Sequence, residues 1–337
     1  MQNPTVTPHW FVRLLRLFLE SLQPNLTMPT ESQIIAAERK ALMGLLSEIP
    51  LRSVDENVVI ASWNIAQFSN KKKVRALQYI ADICERFDLI AIQEVKTNLQ
   101  GLAKLQDLLP GNYQILVSDP TGNSERLAFL YDKRTVISTG LVCEIAFNGT
   151  ISNPDVFQFQ RTPYCASFRA GRFDFTMVSV HIAEGSNLQE VGLAVRKKEI
   201  EELVNFIKRE AKRPQGSVFD PDFFLVGDFN IQADGDLFFQ ALTGGPEPRF
   251  KMPPGMNTLG TNFDQTKTFD KIAWIPSQEF EFSGNFGVIP FGKVLYQEPG
   301  QPPNAARAEV SDHLPLWAEF RVTELEHELN QILNRER

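Results

Sequence analysis

The stretch Phe223-Phe224-Leu225-Val226-Gly227-Asp228-Phe229-Asn230 constrains the fold more than any other part of the chain. Four apolar residues closed by a glycine read as a buried strand, with a carboxylate and a carboxamide delivered at its mouth. Asp228 and Asn230 are two apart, so in extended backbone they share a face. A Gly-Asp pair alone is also an ordinary turn former, so the weight falls on what accompanies it.

The same arrangement recurs along the chain. Val58-Val59-Ile60-Ala61-Ser62-Trp63 predicts a strand that hands over Asn64, and Val74, Leu77, Ile80, Ala81 and Cys84 mark a helix stripe behind it. Asp88 to Ile92 predicts a second strand, handing over Gln93 and Glu94. Further strands are expected around Tyr113–Val117, Leu127–Tyr131 and Val136–Cys143, and on both sides of an Ala170-Gly171 turn, the second of that pair ending on His181. Leu188 to Lys212 reads as a long amphipathic helix whose interleaved Lys and Glu form a solvated face. Asp270 opens the run Asp270-Lys271-Ile272-Ala273-Trp274, and Ser311-Asp312-His313 leads into an expected strand Leu314–Phe320. Gly244–Gly260 and Glu298–Pro303 read as surface loops.

The first 56 residues differ in character. Trp10–Leu22 is apolar on one face but interrupted by Arg13, Arg16 and Glu20, which excludes an uninterrupted signal core or a membrane span. A short packing helix is the plainer reading, with contact at a membrane surface the alternative. Thr30 and Gln33 form a capping-box pattern ahead of a helical repeat that continues to Ile49. The division expected is a helical extension 1–56, a catalytic domain 57–322 and a helical tail 323–337.

At 337 residues, 43% hydrophobic, the chain can bury a large core. Its net charge of −7 excludes nucleic-acid binding through a bulk positive surface, but not a few local cations around a metal. Cys84, Cys143 and Cys165 lie in apolar runs without metal-ligand spacing and read as buried free thiols, which favours a reducing compartment and a cytoplasmic location. A monomer is expected.

Asn64, Glu94, Asp228, Asn230, Asp270 and Asp312 are all oxygen donors, the set that hard cations such as Mg²⁺ or Mn²⁺ take. His181 and His313, with ordinary pKa values of about 6.5, can exchange protons near neutrality. Such a set can hydrolyse a phosphodiester.

The ordered motifs Trp63-Asn64, Gln93-Glu94, Glu125-Arg126, His181, Gly227-Asp228-Phe229-Asn230, Phe269-Asp270-Lys271-Ile272 and Ser311-Asp312-His313 resemble the endonuclease/exonuclease/phosphatase superfamily, and most of all its deoxyribonuclease I branch. The resemblance spans about Asn57 to Val322. It implies an α+β fold, a four-layer αββα sandwich of two packed mixed sheets with the site at one end. By resemblance, Glu94 is the principal metal ligand with Asn64 and Asp312 beside it. Asp228 and Asn230 hold the scissile phosphate, the attacking water or a second metal. His181 and His313 are the acid–base pair, Glu125 partnering the first and Asp270 the second. Arg161, Lys96 and Arg126 are the substrate-binding candidates, Lys96 standing where an arginine is expected. The implied activity is a Mg²⁺- or Mn²⁺-dependent DNA endonuclease of low sequence specificity. A lipid, a small phosphorylated molecule or RNA is the alternative substrate, and a non-catalytic binding protein is the remotest reading.

Overall fold

The computed structural model describes residues 29–54, 56–147, 157–182, 190–213, 218–232, 235–276 and 280–322, with 329 and 333. The chain divides into two compact units, residues 1–37 and 38–337. In the first, the reciprocal capping box forms as the sequence requires: Thr30 N donates to Gln33 Oε1 at 2.8 Å and Gln33 N to Thr30 Oγ1 at 3.3 Å. Helix α1 (Glu31–Leu46) starts there and continues into the second unit, where it buries Glu38, Leu42 and Leu46. The Trp10–Leu22 segment lies outside the described residues.

The second unit is built on two mixed sheets. The chain runs β1 (Asn57–Phe68), α2 (Val74–Cys84), β2 (Leu89–Lys96), α3 (Gln100–Leu108), β3 (Tyr113–Val117), β4 (Glu125–Asp132) and β5 (Val136–Glu144). It continues with β6 (Tyr164–Ala170), β7 (Phe173–His181), α4 (Glu190–Ala211), β8 (Phe223–Asp228) and α5 (Leu237–Thr243). Last come β9 (Asp270–Trp274), β10 (Glu281–Val288), α6 (Ala305–Glu309) and β11 (Leu316–Arg321). One sheet has the order β10-β11-β1-β2-β4-β3 and the other β5-β6-β7-β8-β9. Among the described residues, only β1–β2 and β7–β8 pair in parallel.

Strand period decides which residues meet. Along β8, Phe224 and Val226 join Phe168, Phe175 and Met177 against Val58, Ile60, Phe129 and Phe320 of the facing sheet. Phe223 and Leu225 point the other way, into Ile200, Leu203 and Ile207 of α4 and Leu242 of α5. With both faces covered, β8 reads as a continuous apolar run. Phe224 and Phe320 lie edge to face at 4.9 Å across the sheets, and truncating such a side chain to alanine costs about 3–5 kcal/mol. The result is the four-layer α+β sandwich. No helix among the described residues is long and apolar enough to cross a membrane.

Three local expectations are corrected. The strand expected to begin at Leu314 starts at Leu316, because Pro315 has no N–H to give the ladder. The strands expected to stop at Trp63 and Ile92 continue through register shifts to Phe68 and Lys96, with Gln67 at φ 53° and Glu94 at φ 60°. Gly244–Gly260 is not wholly a surface loop: Phe250 and Met256 are buried, and Lys251 bridges to Trp274.

Candidate active site

The β7–β8–β9 ladder sets one rung of chemistry. His181 pairs with Asp228 and Asp228 with Asp270, so the ends of three neighbouring strands carry an imidazole and two carboxylates side by side. Gly227 makes the approach possible: its φ is 135°, and a Cβ there would sit 2.1 Å from the Val180 carbonyl oxygen. Beyond Asp228 the chain turns through Asn230 at φ 54°, held by Asn230 N on Asp228 Oδ1 and by Asn230 Nδ2 on the Ile182 carbonyl, both 2.9 Å. The other sheet contributes Asn64 and Glu94. The register shift and left-handed backbone at Glu94 turn its carboxylate toward Asn64, as strand bulges do. Asn64 Nδ2 donates to Glu94 Oε1 at 3.2 Å and to Asp228 Oδ2 at 3.1 Å, tying the sheets together.

His313 arrives from the segment before β11. Its Nδ1 lies 2.9 Å from Asp270 Oδ2 and its Nε2 3.7 Å from Asp228 Oδ2. Trp63 Nε1 holds the His313 carbonyl at 2.9 Å, and Ser311 Oγ accepts from His313 N while donating to the Asn64 carbonyl. His181 approaches Asp228 from the other side, Nε2 to Oδ2 3.6 Å, with Nδ1 3.2 Å from Glu125 Oε2 but outside hydrogen-bonding geometry. Glu125 is also held by Arg161 Nε at 2.7 Å and by Lys96 Nζ at 2.9 Å.

Burial and charge decide the protonation states. Burial works against a charged His313, but Asp270 and Asp228 outweigh it and raise its pKa to about 10. Burial raises Asp270, and the charge of His313 acts against that rise. Asp228, although buried, is lowered by His313 and His181. Burial also acts upward on Glu125, yet His181, Lys96 and Arg161 bring it down to about 2.

The donor set fits a hard cation. Asn64 Oδ1 is buried without a hydrogen-bond partner beside the Glu94 carboxylate, an oxygen aimed at something the protein does not supply. Asp228, Asp270 and His313 offer a second group of ligand atoms, all within 4.8 Å of one another. Asp312 is half-buried next to His313, and its charge, with that of Glu94, bears on Lys72. Burial lowers Lys72 to about 8 against those acids, and its Nζ donates to the Val310 carbonyl at 2.6 Å.

A search of family models matches residues 61–313 to the Endonuclease/Exonuclease/phosphatase family. The chain belongs to this family. Its members are phosphoesterase hydrolases dependent on divalent metals. Among solved structures, a truncated Caenorhabditis elegans TDP2 is 17% identical with a TM-score of 0.53, covering 79% of this chain and 98% of that one. A humanized D. rerio TDP2 is 13% identical with a TM-score of 0.55, covering 78% and 98%. An endonuclease/exonuclease/phosphatase from Bacteroides vulgatus is 16% identical with a TM-score of 0.52, covering 79% and 99%. At these identities the likeness is one of fold. No curated protein matches the sequence.

The structure thus gathers Asn64, Glu94, Glu125, His181, Asp228, Asn230, Asp270 and His313 in one connected cluster, with Asp312 at its border. The substrate-binding candidates separate. Arg161 is buried and spends its Nε on Glu125, as Lys96 spends its ammonium. Arg126 turns away from both, giving Nη1 to the Ser118 carbonyl. One contribution was hidden in the sequence. Arg196 and Glu199 of α4, expected on a solvated face, are each 1% exposed. Arg196 Nη1 donates to the Asn230 carbonyl at 2.9 Å with its guanidinium over the Phe238 ring, and Glu199 accepts from Gln160 N beside Arg161. A one-turn spacing of opposite charges looks the same in sequence whether it faces water or a loop that needs holding.

Proposed function

We propose that the protein is a metal-dependent phosphodiesterase whose substrate is the DNA backbone, cut with little sequence preference. The observation that carries this reading is the convergence of both imidazoles on one carboxylate: Nε2 of His181 and Nε2 of His313 lie 3.6 and 3.7 Å from Asp228 Oδ2, and each ring has a second carboxylate at Nδ1. Two rings meeting at one point, each oriented from behind, suit a reaction in which one oxygen must lose a proton and another gain one.

In this reading His313, held protonated by Asp270, donates a hydrogen bond and positive charge to the phosphoryl group. His181, whose Glu125 partner is shared with two cations, takes the proton of the attacking water. Asp228 orients that water, and the Asn230 carboxamide steadies the phosphate. Glu94, Asn64 and Asp312 would hold the divalent ion, which when bound supplies charge stabilisation to a phosphoryl oxygen. Beyond Glu94 a cleft of about 390 Å³ is lined by Lys71, Lys72 and Lys96, with Asn70, Asn98 and one acid, Glu309. Local basic character in a chain of net charge −7 supports a substrate that continues as a polyanion past the scissile group.

Supercoiled-plasmid cleavage with Mg²⁺, Mn²⁺ or EDTA tests the proposal, with His181→Ala beside the wild type. Nicking and linearisation are expected with metal, and none with EDTA or from the variant. A wild type that leaves DNA intact yet hydrolyses a lipid or a small phosphoester would move the substrate away from DNA and keep the chemistry.

A further inference from the structure

Two of the three cysteines, far apart in sequence, meet in the second sheet. Cys143 in β5 and Cys165 in β6 stand directly opposite in the antiparallel ladder. Two residues along, Ile145 N donates to the Pro163 carbonyl at 2.9 Å. Rungs alternate, so Cys143 and Cys165 also occupy a hydrogen-bonded pair, in which Cα atoms lie about 5.5 Å apart. A disulfide spans Cα separations of about 4.4–6.8 Å. Opposed residues leave a sheet on the same side, and here both sulfurs face the layer that contains Ile200 and Leu203, Cys165 within that core and Cys143 packed at its margin.

The two sulfurs are not equivalent. Cys165 is fully buried, while Cys143 is partly exposed. The neighbouring Cys165 holds the Cys143 thiol below the ordinary range, and Cys143 together with burial pushes Cys165 well above it. The nucleophile is therefore the sulfur that a reagent can reach, and the proton sits on the one it cannot. Cys84 in α2 is fully buried and its thiol is pushed up by burial alone.

We propose that Cys143 and Cys165 form a dithiol site that a low-molecular-weight disulfide, such as oxidised glutathione, converts reversibly to an intramolecular disulfide. The Cys143 thiolate attacks one sulfur of the reagent, breaking its S–S bond and releasing one glutathione thiolate. Cys165 then loses its proton and attacks the Cys143 sulfur, releasing the second. Two protein thiols are oxidised, one disulfide is reduced to two thiols, and the two protons pass to the released thiolates. The link would close β5 onto β6 two residues from Pro163, next to the segment that brings Arg161 to Glu125. The proposal rests on sheet geometry and is independent of the substrate.

The test is a non-reducing peptide mass map of the full chain after native incubation with oxidised glutathione. The wild type is expected to lose two hydrogens, to show one cross-link joining Cys143 to Cys165, and to regain both thiols with dithiothreitol, Cys84 staying unmodified throughout. Cys165→Ser should stop at a glutathione adduct on Cys143, and Cys143→Ser should take up none. A wild type that keeps the adduct on Cys143, or stays fully reduced, overturns the proposal, and the wild-type map decides this even if neither variant folds.

Discussion

The two histidine ends of the site look symmetrical on paper and are not. His313 has Asp270 as its Nδ1 partner, a completely buried carboxylate whose other oxygen, Oδ1, has no hydrogen-bond partner among the described residues. His181 has Glu125, which divides its charge among Lys96, Arg161 and the imidazole. A buried carboxylate hydrogen-bonded to one ring supports positive charge on that ring, whereas a carboxylate shared with two cations serves to orient its ring. The lesson is that a carboxylate–histidine pair is specified by what else touches the carboxylate.

The comparison can be broken at each level. Removing either ring should cost most: His181→Ala and His313→Ala are each expected to lower kcat by at least about 10²-fold with the far-ultraviolet circular dichroism unchanged. Equal activity in either variant would remove that ring from the chemistry. Gly227→Ala attacks the strand end next to Asp228, the carboxylate that both rings approach. Its Cβ would lie 2.1 Å from the Val180 oxygen, so a loss of about 1–3 kcal/mol in urea-unfolding stability is expected. Asp270→Asn should sharpen the asymmetry: by NMR, the His313 pKa should fall from about 10. A His313 that does not move would mean that Asp228, not Asp270, sets its charge.

Smaller effects follow from the pH dependence of stability, read in EDTA as the urea midpoint. His313 is raised to about 10, so its share of stability is complete below the ordinary value of about 6.5 and is lost as the pH climbs through about 10. Glu125 is depressed to about 2, so its share is complete above the ordinary value of about 4.3 and disappears as the pH falls through about 2. His313→Gln should flatten the alkaline decline alone, and Lys96→Met should shift the acid decline upward. If Lys96→Met leaves the acid limb in place, Arg161 and His181 suffice to hold Glu125 ionised.

Much of this site was legible because its residues sit at the ends of strands buried on both faces, where an apolar run is followed at once by an unmistakable polar group. Asp228, His181 and Asp270 were found in that way, and the rung they form is the reason the pattern works. Other parts had no such signature. The turn of Glu94 into the left-handed region depends on a register shift between two strands, a property of the pair and not of either sequence. Arg196 and Glu199 look like the charged face of any surface helix until the Asn230 turn is folded against them. Met256 lay in a Pro- and Gly-rich stretch, where composition speaks for solvent, yet it fills the core between the sheets. Cys143 and Cys165 meet only through strand order.

Because His181, Asp228 and Asp270 occupy one line of the β7–β8–β9 ladder, their spacing is set by backbone hydrogen bonds and not by the side chains themselves. The sheet acts as a ruler with divisions of about 4.8 Å. A mutation at one mark changes what stands there without moving its neighbours, so reactivity here can be altered in type while the distances stay in place.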